Sequence, residues 1–183
     1  MFYNLFTQKT WVFNANNINA AYPHINPENV KEVEIWSNCL YVTFLTGSPR
    51  FLSKKKVLEA FFEERENESR KVNTPIWCDT QKMYAIRSRS KQYKQFYTTE
   101  TQCDCHDFQI QKQIGITNPT CSHMYKVKMS NAARQAYLDR VKLQYPDIEN
   151  QIKNLGFDPK TIRFKDLQFI ITDISLPLDS NAA

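Results

Sequence analysis

Residues 103–123 read CDCHDFQIQKQIGITNPTCSH, and this stretch decides how the fold is interpreted. Cys103 and Cys105 open it, and Cys121 and His123 close it, in the spacing CxC followed by CxH. Three thiolates and one imidazole are the ligand set of a closed structural zinc site, which leaves no open position for substrate or water. Sulfur ligands favour Zn²⁺ over Mg²⁺ and Ca²⁺, which prefer oxygen. The stretch therefore predicts a metal-stabilised binding module.

The alternative is that these residues are buried cysteines and an unrelated surface histidine, because cysteine also behaves as a small hydrophobic side chain. Three of the 5 cysteines in the chain fall within this stretch, with a histidine at ligand spacing, which favours zinc. Lys126 and Lys128 follow closely and can offset the negative charge that three thiolates leave around Zn²⁺.

A β-hairpin and a helix flank the four candidate ligands. Residues 84–90 predict a strand, and residues 92–98 predict its return. An Asp-Phe pair at 107–108 follows the second cysteine, and residues 124–127 favour a helix. The order along the chain is therefore hairpin, CxC, Asp-Phe, connection, CxH and helix.

This order resembles the SWIM-type zinc finger over residues 80–130. The resemblance implies that Cys103, Cys105, Cys121 and His123 bind the metal, and that Phe108 packs beside it. His106 stands where proline is frequent in the family, so it competes with His123 as the fourth ligand. Ser122 stands where a basic residue is frequent, which weakens the argument that this turn contacts phosphate. The family is associated with both DNA binding and protein–protein contacts, so both stay open.

Composition places the chain among packed globular proteins. Its 183 residues, with 42% hydrophobic and 13% aromatic residues, can form one sizeable domain or two small ones. The apolar start lacks the basic residues of a signal peptide, and no apolar run approaches membrane-spanning length. Cys39 and Cys78 show no disulfide-framework spacing, so we expect an intracellular location, cytoplasmic or nuclear.

The sequence predicts an α+β fold in which small layers of β-hairpin and helix are built around the SWIM-like zinc finger. Three regions follow one another along the chain. We expect an N-terminal α/β region of no recognised family at 1–75, the zinc finger at 76–130, and C-terminal helices and strands at 131–183.

Both flanking regions carry predicted elements. In the N-terminal region, residues 9–13 favour a short strand, and residues 30–36 and 40–45 predict a hairpin. In the C-terminal region, residues 133–145 predict a helix that ends at a proline, and a second short helix follows and ends at Gly156. Strands are then expected at 161–164 and 168–174, pairing with the N-terminal strands or with the finger hairpin.

Ser53 is placed to cap a helix whose charges oppose the helix dipole. Lysines occupy positions 54–56 in its first turn, and glutamates lie near its end. Lysines at a helix start suit a phosphate anion. A solvated face, with Lys55 and Glu59 paired at i,i+4, is the favoured alternative.

Basic residues also cluster on the predicted finger hairpin. Arg87, Arg89 and Lys91 alternate, so an extended strand would place them on one face. Interleaved aromatic residues favour contact with nucleic acid. The alternative is that one hairpin face meets water while the aromatic residues build the core. The predicted nucleic-acid-binding residues are Lys82, Arg87, Arg89, Lys91, Lys94, Lys126 and Lys128.

No Walker loop, GxSxG or HExxH motif occurs, so we assign no catalytic residues and expect no enzyme. The sequence favours a zinc-binding accessory protein that binds nucleic acid, with DNA preferred. The alternative is a protein–protein adaptor that uses the zinc finger as its docking surface. Expected partners are nucleic acid, a larger protein complex, or both, and we expect neither a membrane nor a small-molecule substrate.

Overall fold

The computed structural model describes residues 11–91 and 93–175. Helices and small antiparallel sheets alternate along the chain, which confirms the predicted α+β class. The chain divides into two compact units, each assembled from two separate stretches of sequence. The three consecutive regions expected from the sequence stay a prediction. The first unit includes residues 11–71 and 104–122, and the second includes the described residues of 72–103 and 123–175.

The first unit contains an antiparallel three-stranded sheet, in the order β1-β2-β3. The predicted hairpin is confirmed, and the third strand was not anticipated because only residues 50–53 form it. Leu40 pairs with both Ile35 and Leu52 across the sheet, so these three apolar side chains lie on the same face. The strands are β1 (Val30–Ile35), β2 (Cys39–Phe44) and β3 (Arg50–Ser53).

The first unit also contains helices, and side chains cap the N-termini of several of them. Asn14 accepts a hydrogen bond from the Asn17 N–H at 2.9 Å, and Ser53 accepts one from the Lys56 N–H at 3.3 Å. The predicted Ser53 cap is therefore confirmed. The helices are α1 (Ala15–Ala21), a 3₁₀ turn (Pro27–Asn29), α2 (Lys54–Ser69) and α3 (His106–Gln113).

The strand expected at 9–13 is wrong where the structure describes it. Lys9 and Thr10 lie outside the described residues, and Trp11 and Val12 are helical. Val12 is fully buried, because it packs in the apolar core rather than in a sheet. That core also contains Ile18, Leu40, Val42, Val57 and Phe61, all without solvent exposure.

The second unit contains an antiparallel sheet in the order β4-β5-β6 and most of three helices. Its predicted hairpin is confirmed, although its strands are shorter than expected. The sheet packs through Tyr84 and Ile86 against Val127. The strands are β4 (Ile76–Cys78), β5 (Met83–Arg87) and β6 (Gln95–Thr98). The helices are α4 (Ser122–Lys142), α5 (Ile148–Asn154) and α6 (Phe164–Ser175).

The two strands expected at 161–164 and 168–174 are wrong, since most of these residues form α6. β-branched residues suggested strands. Buried Leu167, Ile170 and Ile171 instead follow helical spacing, while Phe169 is 68% exposed. One side of the helix thus packs in an apolar cluster, and this packing outweighs local strand preference.

The helices predicted after the candidate metal ligands are confirmed, although the first ends at Lys142 rather than at the proline. Residues 133–142 belong to α4, and α5 follows the proline at 146. Gly156 adopts φ 84° just after α5, a left-handed conformation that glycine adopts without a side-chain clash. No helix in the part of the chain that the structure describes has the length and apolar character needed to cross a membrane.

Candidate metal centre

Three cysteines and one histidine lie close together. The ligand atoms of Cys103, Cys105, Cys121 and His123 all lie within 4.8 Å of one another. The cysteines are buried and the histidine is partly buried. Ligand atoms around tetrahedral Zn²⁺ are separated by about 3.5–3.8 Å, given metal–ligand distances of about 2.0–2.3 Å. The observed spacing needs only a small contraction, so this group can bind a metal ion.

Cys103 is positioned by a tight turn that follows β6. It forms a β-bridge with Thr98, which is fully buried. The Thr98 hydroxyl donates to the carbonyl of Gln102 at 3.0 Å, and the Thr99 N–H donates to the same carbonyl at 2.8 Å. These bonds fold the chain back after the strand, and so they present the Cys103 thiol toward the other ligands.

Cys105 lies at the N-cap of α3. Its Sγ accepts a hydrogen bond from the Phe108 N–H at 3.5 Å. The N-terminus of a helix favours negative charge, so this position stabilises a thiolate, which is the form that binds metal. Phe108 is only 5% exposed, consistent with the small-core position that the SWIM resemblance implies.

Asp107, in the first turn of α3, accepts hydrogen bonds from two side chains. Its carboxylate accepts from the Arg65 Nε at 2.9 Å and from the Trp11 indole N–H at 3.1 Å. The Arg65 guanidinium also lies over the Phe61 ring, 4.2 Å from its centroid. This network fixes the helix that Cys105 caps. Sequence reasoning missed it, although an acidic residue in a first turn is a recognisable signal.

Gln111 fixes the approach to Cys121. It is fully buried, its amide donates to the Thr120 carbonyl at 3.0 Å, and its oxygen accepts from the Thr120 N–H at 2.9 Å. The side chain thus pairs with the backbone as a neighbouring strand would. Cys121, the next residue, is held directly before the start of α4.

His123 lies in the first turn of α4. Its Nδ1 is 3.9 Å from the Cys103 Sγ, and its ring lies against Phe96, with centroids 4.6 Å apart. His106, the competing candidate, is exposed, lies outside the ligand cluster, and has its ring at the edge of Trp11. The structure therefore brings His123, rather than His106, to the three cysteines.

The two remaining cysteines lie outside the cluster. Cys39 is in β2 and Cys78 is at the end of β4. A hydrogen bond with the Thr80 hydroxyl lowers the pKa of the Cys78 thiol below its ordinary value. Cys78 therefore carries more thiolate at neutral pH than an ordinary surface cysteine.

The basic residues of the finger hairpin are placed differently from the prediction. β5 ends at Arg87, so Arg89 and Lys91 follow in the connection to β6 and strand alternation does not orient them. All three are exposed. Lys82 lies 3.5 Å from Asp79, and Lys94 lies 5.0 Å from the Phe96 ring centroid. On α4, Lys128 is exposed and Lys126 is half-buried.

The lysines at the start of α2 do not act as one group. Lys55 pairs with Glu59 at 3.8 Å, as the solvated-face alternative expects. Lys56 lies over the Tyr22 ring at 4.4 Å, and Lys54 lies over the Phe13 ring at 5.5 Å. Each lysine therefore has a different environment.

Comparisons of the chain with models of protein families, with curated proteins and with solved structures found no match. The SWIM-type resemblance stays a prediction that depends on the residues quoted above.

Proposed function

We propose that this chain is a SWIM-like zinc-finger protein that binds nucleic acid, with DNA as the preferred partner, and that it has a binding rather than a catalytic role. The observation that carries the proposal is the convergence of three thiol groups and one imidazole within 4.8 Å. Soft thiolates with an imidazole select Zn²⁺ among abundant divalent ions that prefer tetrahedral sites. Four protein ligands fill such a site, so the zinc has a structural role.

The nucleic-acid part of the proposal is supported by the surface of the finger hairpin. A shallow groove there is lined by Arg87 and Arg89 and by the hydroxyls of Ser88 and Thr74. Asn73 fixes one edge, since its side-chain amide donates to the Arg87 carbonyl at 3.0 Å. Guanidinium and hydroxyl groups are common donors to phosphate oxygens. The net charge of +5 favours the same partner.

A salt titration tests this proposal. Affinity for single-stranded DNA, duplex DNA and RNA is measured at several salt concentrations, with the parent chain and with Arg87→Ala/Arg89→Ala/Lys91→Ala. We expect the variant to bind more weakly and its log–log salt dependence to flatten by about one unit per lost phosphate contact.

A matched control removes the same charge elsewhere. Lys153, Lys160 and Lys165 are exposed, and their triple substitution by alanine also removes three positive charges. If both variants lose the same affinity, net charge explains the binding and the hairpin is not the contact surface. Parent-like binding by the hairpin variant contradicts the proposed surface.

A second candidate, a protein–protein adaptor, is favoured by one specific surface. Trp36, Tyr41 and Phe51 contact one another on a face of the first sheet, with ring centroids 5.0–5.9 Å apart. Trp36 is 48% exposed and Phe51 is 60% exposed, and exposed aromatic clusters are typical of interfaces. The adaptor hypothesis expects no measurable affinity for any nucleic acid near physiological salt.

A further inference from the structure

A pocket of about 600 Å³ opens in the first unit, apart from the finger-hairpin groove and bordered by Trp36 of the aromatic cluster. Its size lies within the range typical of small-molecule sites. The end of β1, the first turns of α2 and the chain after α3 form its walls. No sequence motif indicated the pocket itself, because its residues are widely separated along the chain, although the lysines at 54–56 were a candidate anion site in the sequence.

The floor of the pocket is apolar. Phe13 is buried there, and Leu58, Phe62, Ile114 and Ile116 are partly buried around it and pack against the core of the unit. These side chains offer an apolar surface inside an open pocket that protein atoms do not fill. A ligand that occupies the pocket gains from covering this surface.

Among the lining residues that the structure describes, the charge in the pocket comes from a single lysine. Lys54 is half-buried, lines the pocket, and is the one charged side chain of that described set. Within the residues that the structure describes, no carboxylate lies within ion-pair distance of its amino group. Lys54 is also the first residue of α2, where the helix dipole adds positive potential.

We propose that this pocket binds a small amphipathic anion: an apolar body of acyl or aryl type lies on the floor, and its anionic head group binds Lys54. Charge complementarity carries this choice, because a cation would meet Lys54 directly and a neutral apolar molecule would leave the amino group without a counter-charge. Ser37 and the exposed residues Thr117 and Asn118 at the rim offer further polar groups to the head group.

Two dyes with nearly the same ring system test the proposal on the full chain. One is 1-anilinonaphthalene-8-sulfonate, an apolar anion, and the other is N-phenyl-1-naphthylamine, which lacks the sulfonate. We expect saturable binding of the sulfonate at one site. Lys54→Met should weaken it by about 10- to 100-fold, as for loss of a charge-assisted hydrogen bond. The affinity of the neutral dye should be unchanged in the same variant.

Lys55→Met is the matched control. It removes the same charge one residue later in the same helical turn, but the Lys55 side chain is 87% exposed and pairs with Glu59. We expect this variant to bind both dyes as the parent does. If Lys54→Met and Lys55→Met weaken the sulfonate equally, the effect is one of general surface charge and the proposal fails.

A pocket-filling variant, Ile116→Trp, separates this pocket from any other dye site. Far-UV circular dichroism verifies its fold, and we expect it to lose both dyes. Unchanged binding of both dyes would place them elsewhere and overturn the assignment. So would the absence of saturable sulfonate binding by the parent chain up to about 1 mM.

Displacement of the bound sulfonate then distinguishes the sources of the ligand. Decanoate tests an acyl anion, 1-naphthoate tests an aryl anion, and decanol is the uncharged control. Displacement by either anion but not by decanol supports the proposal. The more effective anion shows whether the apolar part of the ligand is an acyl chain or an aryl ring. Displacement by decanol as effectively as by decanoate overturns the role of Lys54.

Discussion

Residues 103–123 and residues 138–171 fold around different kinds of centre. In the first segment, three sulfur atoms and an imidazole converge within 4.8 Å. In the second, buried aliphatic side chains pack in a cluster, with Ile148, Ile152 and Leu167 fully excluded from solvent. The first centre depends on the identity of a few atoms, whereas the second depends on the volume and periodicity of many side chains.

This difference has a thermodynamic consequence. Removing one ligand from a metal centre removes most of its binding energy, because the ion needs all four donors. Removing one side chain from an apolar cluster costs only the transfer energy of that side chain plus the cavity that it leaves. The following predictions test whether the two segments respond in these different ways.

The largest expected effect is metal removal. Chelation should unfold the segment around Cys103 to His123, because structural zinc contributes roughly 10–16 kcal/mol of apparent binding energy in small modules. Metal analysis should find zinc in the parent chain, and hydrogen exchange should accelerate in this segment while α6 keeps its protection. Cys121→Ser should lose the metal, and Cys39→Ser should retain it.

Three results would contradict this assignment. They are a purified chain without zinc, His123→Ala with full occupancy and stability, and Cys39→Ser or Cys78→Ser without metal. If His106→Ala loses zinc and His123→Ala retains it, the assignment of His123 as the fourth ligand is wrong.

The next effect concerns the apolar cluster. Leu167→Ala should lower the free energy of unfolding by about 2–5 kcal/mol, because the side chain is fully buried. Phe169→Ala is the control in the same helix, and it should have little effect because Phe169 is 68% exposed. Chemical denaturation measures both, and zinc content should stay that of the parent. Equal losses for the two variants would contradict the helical packing of α6.

A smaller effect is expected for the ion pair beside Cys105. Asp107→Asn should cost about 1.5–3 kcal/mol, because the Arg65 side chain is 16% exposed and loses its charged partner. Glu64→Gln removes the other carboxylate near Arg65, but Glu64 is 54% exposed, so its loss should cost about 0–1 kcal/mol. Denaturation of both variants in the zinc-bound state measures the difference. If the two costs are equal, Asp107 does not anchor α3.

The smallest effect is a difference in thiol reactivity. With metal bound, iodoacetamide should modify Cys78 and Cys39, and the three cysteine ligands should react only after chelation. Cys78 should react faster than Cys39 at neutral pH, because the hydrogen bond with Thr80 lowers the Cys78 pKa and increases its thiolate fraction. Thr80→Val should slow the reaction of Cys78, as mass spectrometry can follow. An unchanged rate would contradict the role of Thr80.

The sequence predicts the two kinds of centre unequally well. The convergence of Cys103, Cys105, Cys121 and His123 could be predicted because ligand chemistry is specified by residue type and spacing. The hairpins and the Ser53 cap were also predictable, because alternation and capping are local signals. The sequence already favoured His123 over His106 as the fourth ligand, and the structure brings His123, not His106, to the cysteines.

The errors concern elements that tertiary packing decides. Residues 161–174 are rich in Ile and Thr, which suggested strands, but Leu167, Ile170 and Ile171 lie on the face of a helix that packs in the cluster. β3 and β4 are too short to give an alternating pattern. The pocket beside Lys54 could not be predicted, because it is formed by residues from distant parts of the chain.

The paired amide of Gln111 also affects how fast the metal centre assembles. Cys105 and Cys121 are separated by residues 106–120, and the entropy lost in closing such a loop grows with its length. The two hydrogen bonds between Gln111 and Thr120 join protein groups, so they shorten the open loop without needing the ion. The second ligand pair, Cys121 and His123, is therefore already held near the first pair before any ion binds. We therefore expect diffusion and thiol ionisation, rather than loop closure, to limit the rate of metal uptake.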